Sequence, residues 1–179
     1  MNMATHIRSR EEEEATAHHE AGHAVLAVYL NLGFEHVTIE ANEGEDASGI
    51  TMQLDEWHEN TQEMRLHAEE AFWQRRATML YAGVEAHRRF APSADCEAGA
   101  GSDYRSAADA IERITADAKS QDALHSYTRR RAQLLVEHYW PEIKALAGAL
   151  LKDRSLNSEQ IREILRASLM ARKARLLSW

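Results

Sequence analysis

Cysteine, proline and long apolar runs are all scarce in this 179-residue sequence. It has one cysteine, Cys96, and two prolines. A single cysteine excludes an internal disulfide and a cysteine-rich zinc cluster, so a metal site would need histidine and carboxylate ligands. The longest apolar run, residues 24–30, is far shorter than the roughly 20 residues that cross a bilayer. We therefore expect no membrane span and a reducing compartment.

Positive charge is also in the minority. The chain has 21 lysines and arginines against 29 aspartates and glutamates, a net charge of −8. This balance argues against a general phosphate-binding surface, so nucleic acid is not an expected partner. Residues 1–14 lack the apolar core of a signal peptide, which favours a cytoplasmic protein. The length and the 44% hydrophobic content predict one domain over residues 1–179.

The spacing of apolar residues predicts a mainly α-helical fold with one small β-hairpin. A first helix should begin at Ser9, which has capping-box spacing with Glu12, and end at 31–33. The β-branched segments 34–40 and 49–54 should pair as the hairpin. Five further helices are predicted: from about Asn60 to Phe90, over 103–119 with Ser102 as N-cap, over 121–139, over 141–152, and from 157 or 158 onward.

The first predicted helix contains the pattern His-Glu-x-x-His at residues 19–23. Residues four apart share a helix face, so His19 and His23 can bind one ion while Glu20 lies at its flank. Zinc held in this way activates a water molecule, and Glu20 could act as its general base. A glycine within a helix lowers helix stability by about 1 kcal/mol relative to alanine. We therefore expect Gly22 to be present because it permits the close approach of another backbone.

A catalytic zinc needs a third protein ligand. Glu63, Glu69 and Glu70 lie on the next long helix and are candidates. Asp103 follows a Gly-bearing loop at the start of a helix, where a short carboxylate can be held rigidly. Spacing and chemistry alone leave this choice open.

Four segments together resemble the peptidase domain of the FtsH family of ATP-dependent zinc metalloproteases. In chain order they are HEAGHA, GITMQL, AGAGSDYRSA and IKALAGALLKDRSLNSEQIREIL. The resemblance covers about residues 14–167 and leaves 168–179 as a basic tail. It implies an FtsH-peptidase-like helical fold with the hairpin beside the active-site helix.

The resemblance also implies roles for individual residues. His19, His23 and Asp103 would bind one Zn²⁺ per chain, and Glu20 would be the catalytic base. The strand segment Gly49, Ile50, Thr51 and Met52 would border the cleft, where an extended substrate can add by main-chain pairing. The implied activity is hydrolysis of peptide bonds by a metallopeptidase.

The sequence departs from the family in several places. It has no phosphate-binding loop pattern and no transmembrane segment, so we expect unfolded polypeptides or peptides as substrates, or delivery by a separate ATPase. Where the family has Gly-x-Ala-Ala-Glu, residues 83–87 place His87 at the glutamate position. Glu85 or His87 could take over the orienting role of that carboxylate or line the cleft. The oligomeric state stays open.

Three further histidines, His58, His67 and His87, could also line the cleft or donate to a developing oxyanion. Two alternatives to the peptidase are retained. One is a metal-binding module that holds a peptide without cleaving it, and the other is a helical protein without metal.

Overall fold

The computed structural model describes residues 9–40, 49–52, 62–92 and 100–177. These residues form six helices and three short strands, which confirms the mainly helical class. In chain order they are α1 (Arg10–Tyr29), β1 (Phe34–Thr38), β2 (Gly49–Met52), α2 (Gln62–Phe90), α3 (Gly101–Glu112), α4 (Ala118–His138), α5 (Trp140–Asp153), β3 (Ser155–Asn157) and α6 (Ser158–Leu177).

Helix α1 begins where its sequence predicts. The Ser9 hydroxyl accepts a hydrogen bond from the backbone N–H of Glu12 at 3.3 Å, and the Glu12 carboxylate accepts one from the Ser9 N–H at 2.6 Å. This reciprocal pair is a capping box, which satisfies two backbone groups that a helix end leaves open. The helix ends at Tyr29, and Asn31 then adopts a left-handed conformation with φ of 54°.

Helix α1 is the centre of the molecule. It packs against α2 and α5 and also contacts β1 and β2. Most of its second half is buried, and four residues there are alanine or glycine, so neighbouring helices can approach closely. A Cβ atom on Gly22 would lie 2.6 Å from the Ala82 carbonyl oxygen and 2.7 Å from Ala86 Cβ. The predicted close approach at Gly22 is therefore confirmed.

The sheet is larger than the predicted hairpin. Its order is β2-β1-β3, and both pairings are antiparallel. Val37 at the centre of β1 lies opposite Ile50 on one side and Leu156 on the other. The third strand has three residues and no alternating pattern long enough to predict, and the burial of Leu156 ties it to the core.

Two predicted helix boundaries are wrong. Ser102 is not the N-cap of α3, because the helix already begins at Gly101 after Ala100, which makes no side-chain cap. The helix predicted over 103–119 ends at Glu112, and a new helix, α4, begins after Asp117, whose carboxylate accepts the backbone N–H of Ser120 at 2.8 Å.

Other boundaries agree with the sequence or cannot be compared. Helix α2 ends at Phe90, and α5 contains Pro141 in its first turn, as predicted. The predicted cap at Asn60 lies outside the described residues. None of the helices in the described ranges combines the length and the apolar character of a membrane-spanning segment.

Candidate metal centre

Two histidines and an aspartate from different parts of the chain meet between α1, α2 and α3. His19 and His23 lie one turn apart on α1, and Asp103 lies in the first turn of α3. One ligand atom from each residue lies within 4.8 Å of the other two. This group can bind a metal ion, and its members are the three ligands that the family resemblance implies.

The distances between the three ligand atoms are close to those of a compact metal site. His19 Nε2 lies 3.0 Å from His23 Nε2 and 2.9 Å from Asp103 Oδ2, and the third distance, from His23 Nε2 to Asp103 Oδ2, is 3.3 Å. Ligands at about 2.1 Å from a tetrahedral zinc would be about 3.4 Å apart. Ligand displacements of a few tenths of an ångström would therefore be enough to accommodate the ion.

The environment of the Asp103 carboxylate also fits a cation. Its Oδ2 atom is buried and has no hydrogen-bond partner among the described residues, despite its short distances to the two imidazoles. A buried carboxylate oxygen without a partner has a high desolvation cost. A metal ion between the three atoms would offset this cost by direct coordination.

Backbone and glycine contacts on α2 hold the His23 ring in place. His23 Nδ1 donates a hydrogen bond to the Met79 carbonyl at 2.9 Å, which leaves the Nε2 lone pair directed at the site. One turn further along α2, a Cβ atom on Gly83 would lie 2.3 Å from His23 Nε2. Only glycine therefore leaves room for the ring in this position.

Charge and burial couple the ligands electrostatically. Burial alone would lower the pKa of His23, but Asp103 and Glu20 outweigh it and raise this pKa to about 9. Burial alone would raise the pKa of Asp103, but the two imidazoles hold it well below its usual range. Without a metal, the site therefore binds a proton tightly, and a metal ion would have to displace it.

The glutamates proposed as alternative third ligands differ from Asp103 in position. Glu69 is exposed and accepts a hydrogen bond from the Trp73 indole N–H at 3.4 Å. Glu70 is exposed and lies 3.9 Å from His67. The side chain of Glu63 lies outside the described residues. Asp103 is thus the carboxylate that the described structure brings to the two histidines.

Glu20 follows His19 on α1 and is buried, with 4% of its surface exposed. Its charge contributes to the raised pKa of His23, which places it electrostatically close to the metal group. A buried carboxylate beside a metal-binding group is suited to exchange a proton there.

Glu85 and His87 have different surroundings. The Glu85 carboxylate accepts hydrogen bonds from Arg88 at 2.6 Å and from Arg129 at 3.1 Å, so it joins α2 to α4. The His87 ring lies edge-on to the His19 ring, with 6.2 Å between centroids. Of the two residues, His87 is therefore the neighbour of a candidate ligand, while Glu85 is engaged with arginines.

The histidine next to the motif and the other histidines proposed for the cleft lie elsewhere or are not described. His18 is buried and stacks on Phe90 at a centroid distance of 4.0 Å. The side chain of His67 is 75% exposed, which does not fit a buried cleft. His58 and Cys96 lie outside the described residues.

Sequence reasoning missed two contributions to this site. The Met79 carbonyl gives no sequence signal, since every residue has one. Gly83 did give a sequence signal, because a glycine within a helix lowers helix stability and its presence indicates close packing, as at Gly22. The segment predicted to border the cleft, Gly49–Met52, forms β2 and contacts α1, although its side chains lie outside the described part of the structure.

No family model matches the chain, and no curated protein is significantly similar to it. What the site can do must therefore be argued from its own chemistry. Two imidazoles and one carboxylate form a donor set that suits zinc and leaves a coordination position for a water or substrate oxygen.

Proposed function

We propose that this protein is a zinc-dependent metallopeptidase with a fold like that of the FtsH peptidase domain. The observation that carries the proposal is the convergence of His19, His23 and Asp103, with Glu20 buried beside them. The three ligands come from segments 80 residues apart, yet they match residue by residue the set that the family resemblance implies.

Zinc fits this donor set better than magnesium or calcium, which prefer oxygen ligands. When bound, zinc would polarise a peptide carbonyl and lower the pKa of a water molecule towards about 7. Met79 and Gly83 would keep the His23 imidazole in its binding orientation. Asp103 would complete the ligand set with a carboxylate at the start of α3.

Glu20 is the proposed proton carrier. As a carboxylate it would accept a proton from the attacking water, and as a carboxylic acid it would then give this proton to the leaving amine nitrogen. Its position next to His19 in the sequence places it at the flank of the ligand pair, and burial removes competing bulk water. Peptide bond cleavage then proceeds without a covalent bond to the protein.

The substrate proposed here is an unfolded polypeptide or a peptide in extended form. Strand β2 is an edge strand of the sheet within the described residues, and it contacts the motif helix α1. An extended chain can pair with such an edge through main-chain hydrogen bonds. The backbone of Gly49–Met52 would thus hold a substrate beside the metal group.

The test is the Glu20→Gln variant, with Glu11→Gln on the exposed start of the same helix as its control. We expect Glu20→Gln to lower the rate of cleavage of an unfolded protein by about 10²- to 10⁴-fold, while its zinc content stays at that of the wild type. Glu11→Gln should leave both quantities unchanged. Equal cleavage by Glu20→Gln and wild type would contradict the proposal.

A non-proteolytic metal-binding module that holds peptides is the second candidate. The observation that favours it is the pairing of Glu85 with Arg88 and Arg129, since this glutamate then does not orient a ligating histidine. In that case the wild type would bind zinc and peptides, and no cleavage products would form over long incubation.

A further inference from the structure

His87 carries a buried nitrogen that the proposed mechanism has not used. Its Nε2 atom is buried and has no hydrogen-bond partner among the described residues. Most buried polar atoms in native proteins are paired, and one that is not needs an explanation, such as a catalytic role or a bound ion or water. Among the described residues His87 Nε2 is therefore available to a further partner, and a bound substrate is the partner considered below.

The position of His87 follows from the antiparallel packing of α1 and α2. His23 of α1 lies against Gly83 of α2. One turn before His23 on α1, His19 contacts the ring of His87, which lies one turn after Gly83 on α2. Gly83 and His87 are four residues apart and share one helix face. This face of α2 thus leaves space for the His23 ring at Gly83 and places the His87 imidazole against His19.

The chemistry of this imidazole suits a hydrogen-bond donor. A neutral imidazole has one N–H group, and a donor fixed beside a metal group can stabilise negative charge on a substrate oxygen. His87 also lies outside the group of three ligand atoms that come within 4.8 Å of one another.

We propose that His87 is a further catalytic residue, whose Nε2–H donates a hydrogen bond to the substrate carbonyl oxygen as negative charge develops on it. The proposal rests on the peptidase function argued above. It assigns His87 a role distinct from that of Glu20, which exchanges protons, and from those of the three ligands.

A peptide phosphonate tests this role by binding, without turnover. Its tetrahedral, negatively charged phosphorus group resembles the oxygen arrangement reached during attack on a peptide bond. The dissociation constant would be measured by calorimetry on the zinc-loaded full chain. The variants are His87→Ala and His87→Gln, with His67→Ala, an exposed histidine of the same helix, as control; zinc content and thermal unfolding are recorded for each.

We expect His87→Ala to weaken phosphonate binding by about 10- to 100-fold with zinc content unchanged. His87→Gln should restore most of this loss, because its amide also donates, and it covers the case of an alanine variant that does not fold. The control should bind as the wild type does.

Two results would overturn the assignment alone: wild-type phosphonate binding in His87→Ala, or a loss of zinc in both folded His87 variants, which would make His87 a ligand. A wild type that neither cleaves peptides nor binds the phosphonate would instead overturn the peptidase function and this inference together.

Discussion

One fully buried carboxylate, Glu142, and one partly buried carboxylate, Asp103, have very different neighbours. Glu142 at the start of α5 is fully buried, and both of its oxygens lie 3.5 Å from Nη1 of Arg172 on α6. Asp103 faces two imidazole nitrogens instead, and its Oδ2 atom has no aligned hydrogen bond within the described structure. The first carboxylate has its cation within the chain, whereas the second is placed to share one from solution.

This difference separates a stabilising ion pair from a candidate metal site. At Glu142 the charge is compensated by Arg172, which also donates to the His138 carbonyl at 3.1 Å and so fastens α6 to the end of α4. At Asp103 compensation comes from a proton on His23 unless a metal replaces it. Changes near Asp103 should therefore alter metal binding, and changes near Glu142 should alter stability alone.

The largest combined effect, on zinc affinity and on stability together, is expected from Gly83→Ala. The new methyl group would overlap the His23 imidazole, with 2.3 Å between Cβ and Nε2. We expect a loss of about 10- to 100-fold in zinc affinity and about 1–3 kcal/mol in stability. Gly148→Ala in α5 is the control, since its Cβ would meet nothing within 4 Å and should stabilise the helix by about 0.5–1 kcal/mol.

Competition titrations with a coloured zinc chelator and denaturant unfolding measure both quantities for these variants. Equal zinc affinity for Gly83→Ala and wild type would show that His23 does not need the space beside Gly83. That result would remove one of the arguments for this site.

The second effect concerns the other carboxylate. Arg172→Ala leaves the charge of Glu142 buried without its cation, and we expect a loss of about 2–3 kcal/mol in the free energy of unfolding. This is less than for a fully enclosed pair, because the Arg172 side chain is 29% exposed. Zinc content should not change. Lys173→Ala, at an exposed neighbouring residue, should change neither the free energy of unfolding nor the zinc content. A loss of zinc in Arg172→Ala would contradict the independence of the Glu142 ion pair from the metal centre.

A smaller effect should appear in the pH dependence of the metal-free protein. The pKa of His23 is raised from 6.5 to about 9, so the folded state binds its proton more tightly than the unfolded state does. The resulting stability is fully present below pH 6.5 and is lost as the pH rises towards 9, by about 1–3 kcal/mol. Zinc affinity should rise over the same window, because fewer protons compete for His23.

Unfolding of chelator-treated protein at pH 6 and pH 9 would measure this trend, and Asp103→Ala should remove most of it. A stability that stays level in the wild type would contradict the proposed coupling of His23 and Asp103.

The central helix, its motif and the hairpin of β1 and β2 were predictable, and the third strand and some helix boundaries were not. The capping box at Ser9 and the glycine at position 22 are local sequence signals. The helix start and the close backbone approach that they predict are both confirmed. Asp103 could be favoured from the family resemblance, but its approach to α1 depends on packing between distant segments. Strand β3 has only three residues and is defined by its pairing with β1, which no local pattern encodes.

The break between the third and fourth helices was predicted at about residue 120, and it lies at 113–117 in the structure. Asp117 is a common N-cap residue, but the apolar spacing continues past it, so the period alone favoured a helix that extended to residue 119. Side-chain capping and the turn between α3 and α4 decide the boundary in the folded chain.

The most direct test of the account is the zinc content of the protein purified without added metal. Elemental analysis would compare wild type with Asp103→Ala, and Asp109→Ala, an exposed aspartate of the same helix, would be the control. We predict about one zinc per chain in the wild type and the control, and little or none in Asp103→Ala. A wild type that contains no zinc even after zinc is offered, or an Asp103→Ala variant that retains it fully, would contradict the proposed metal centre.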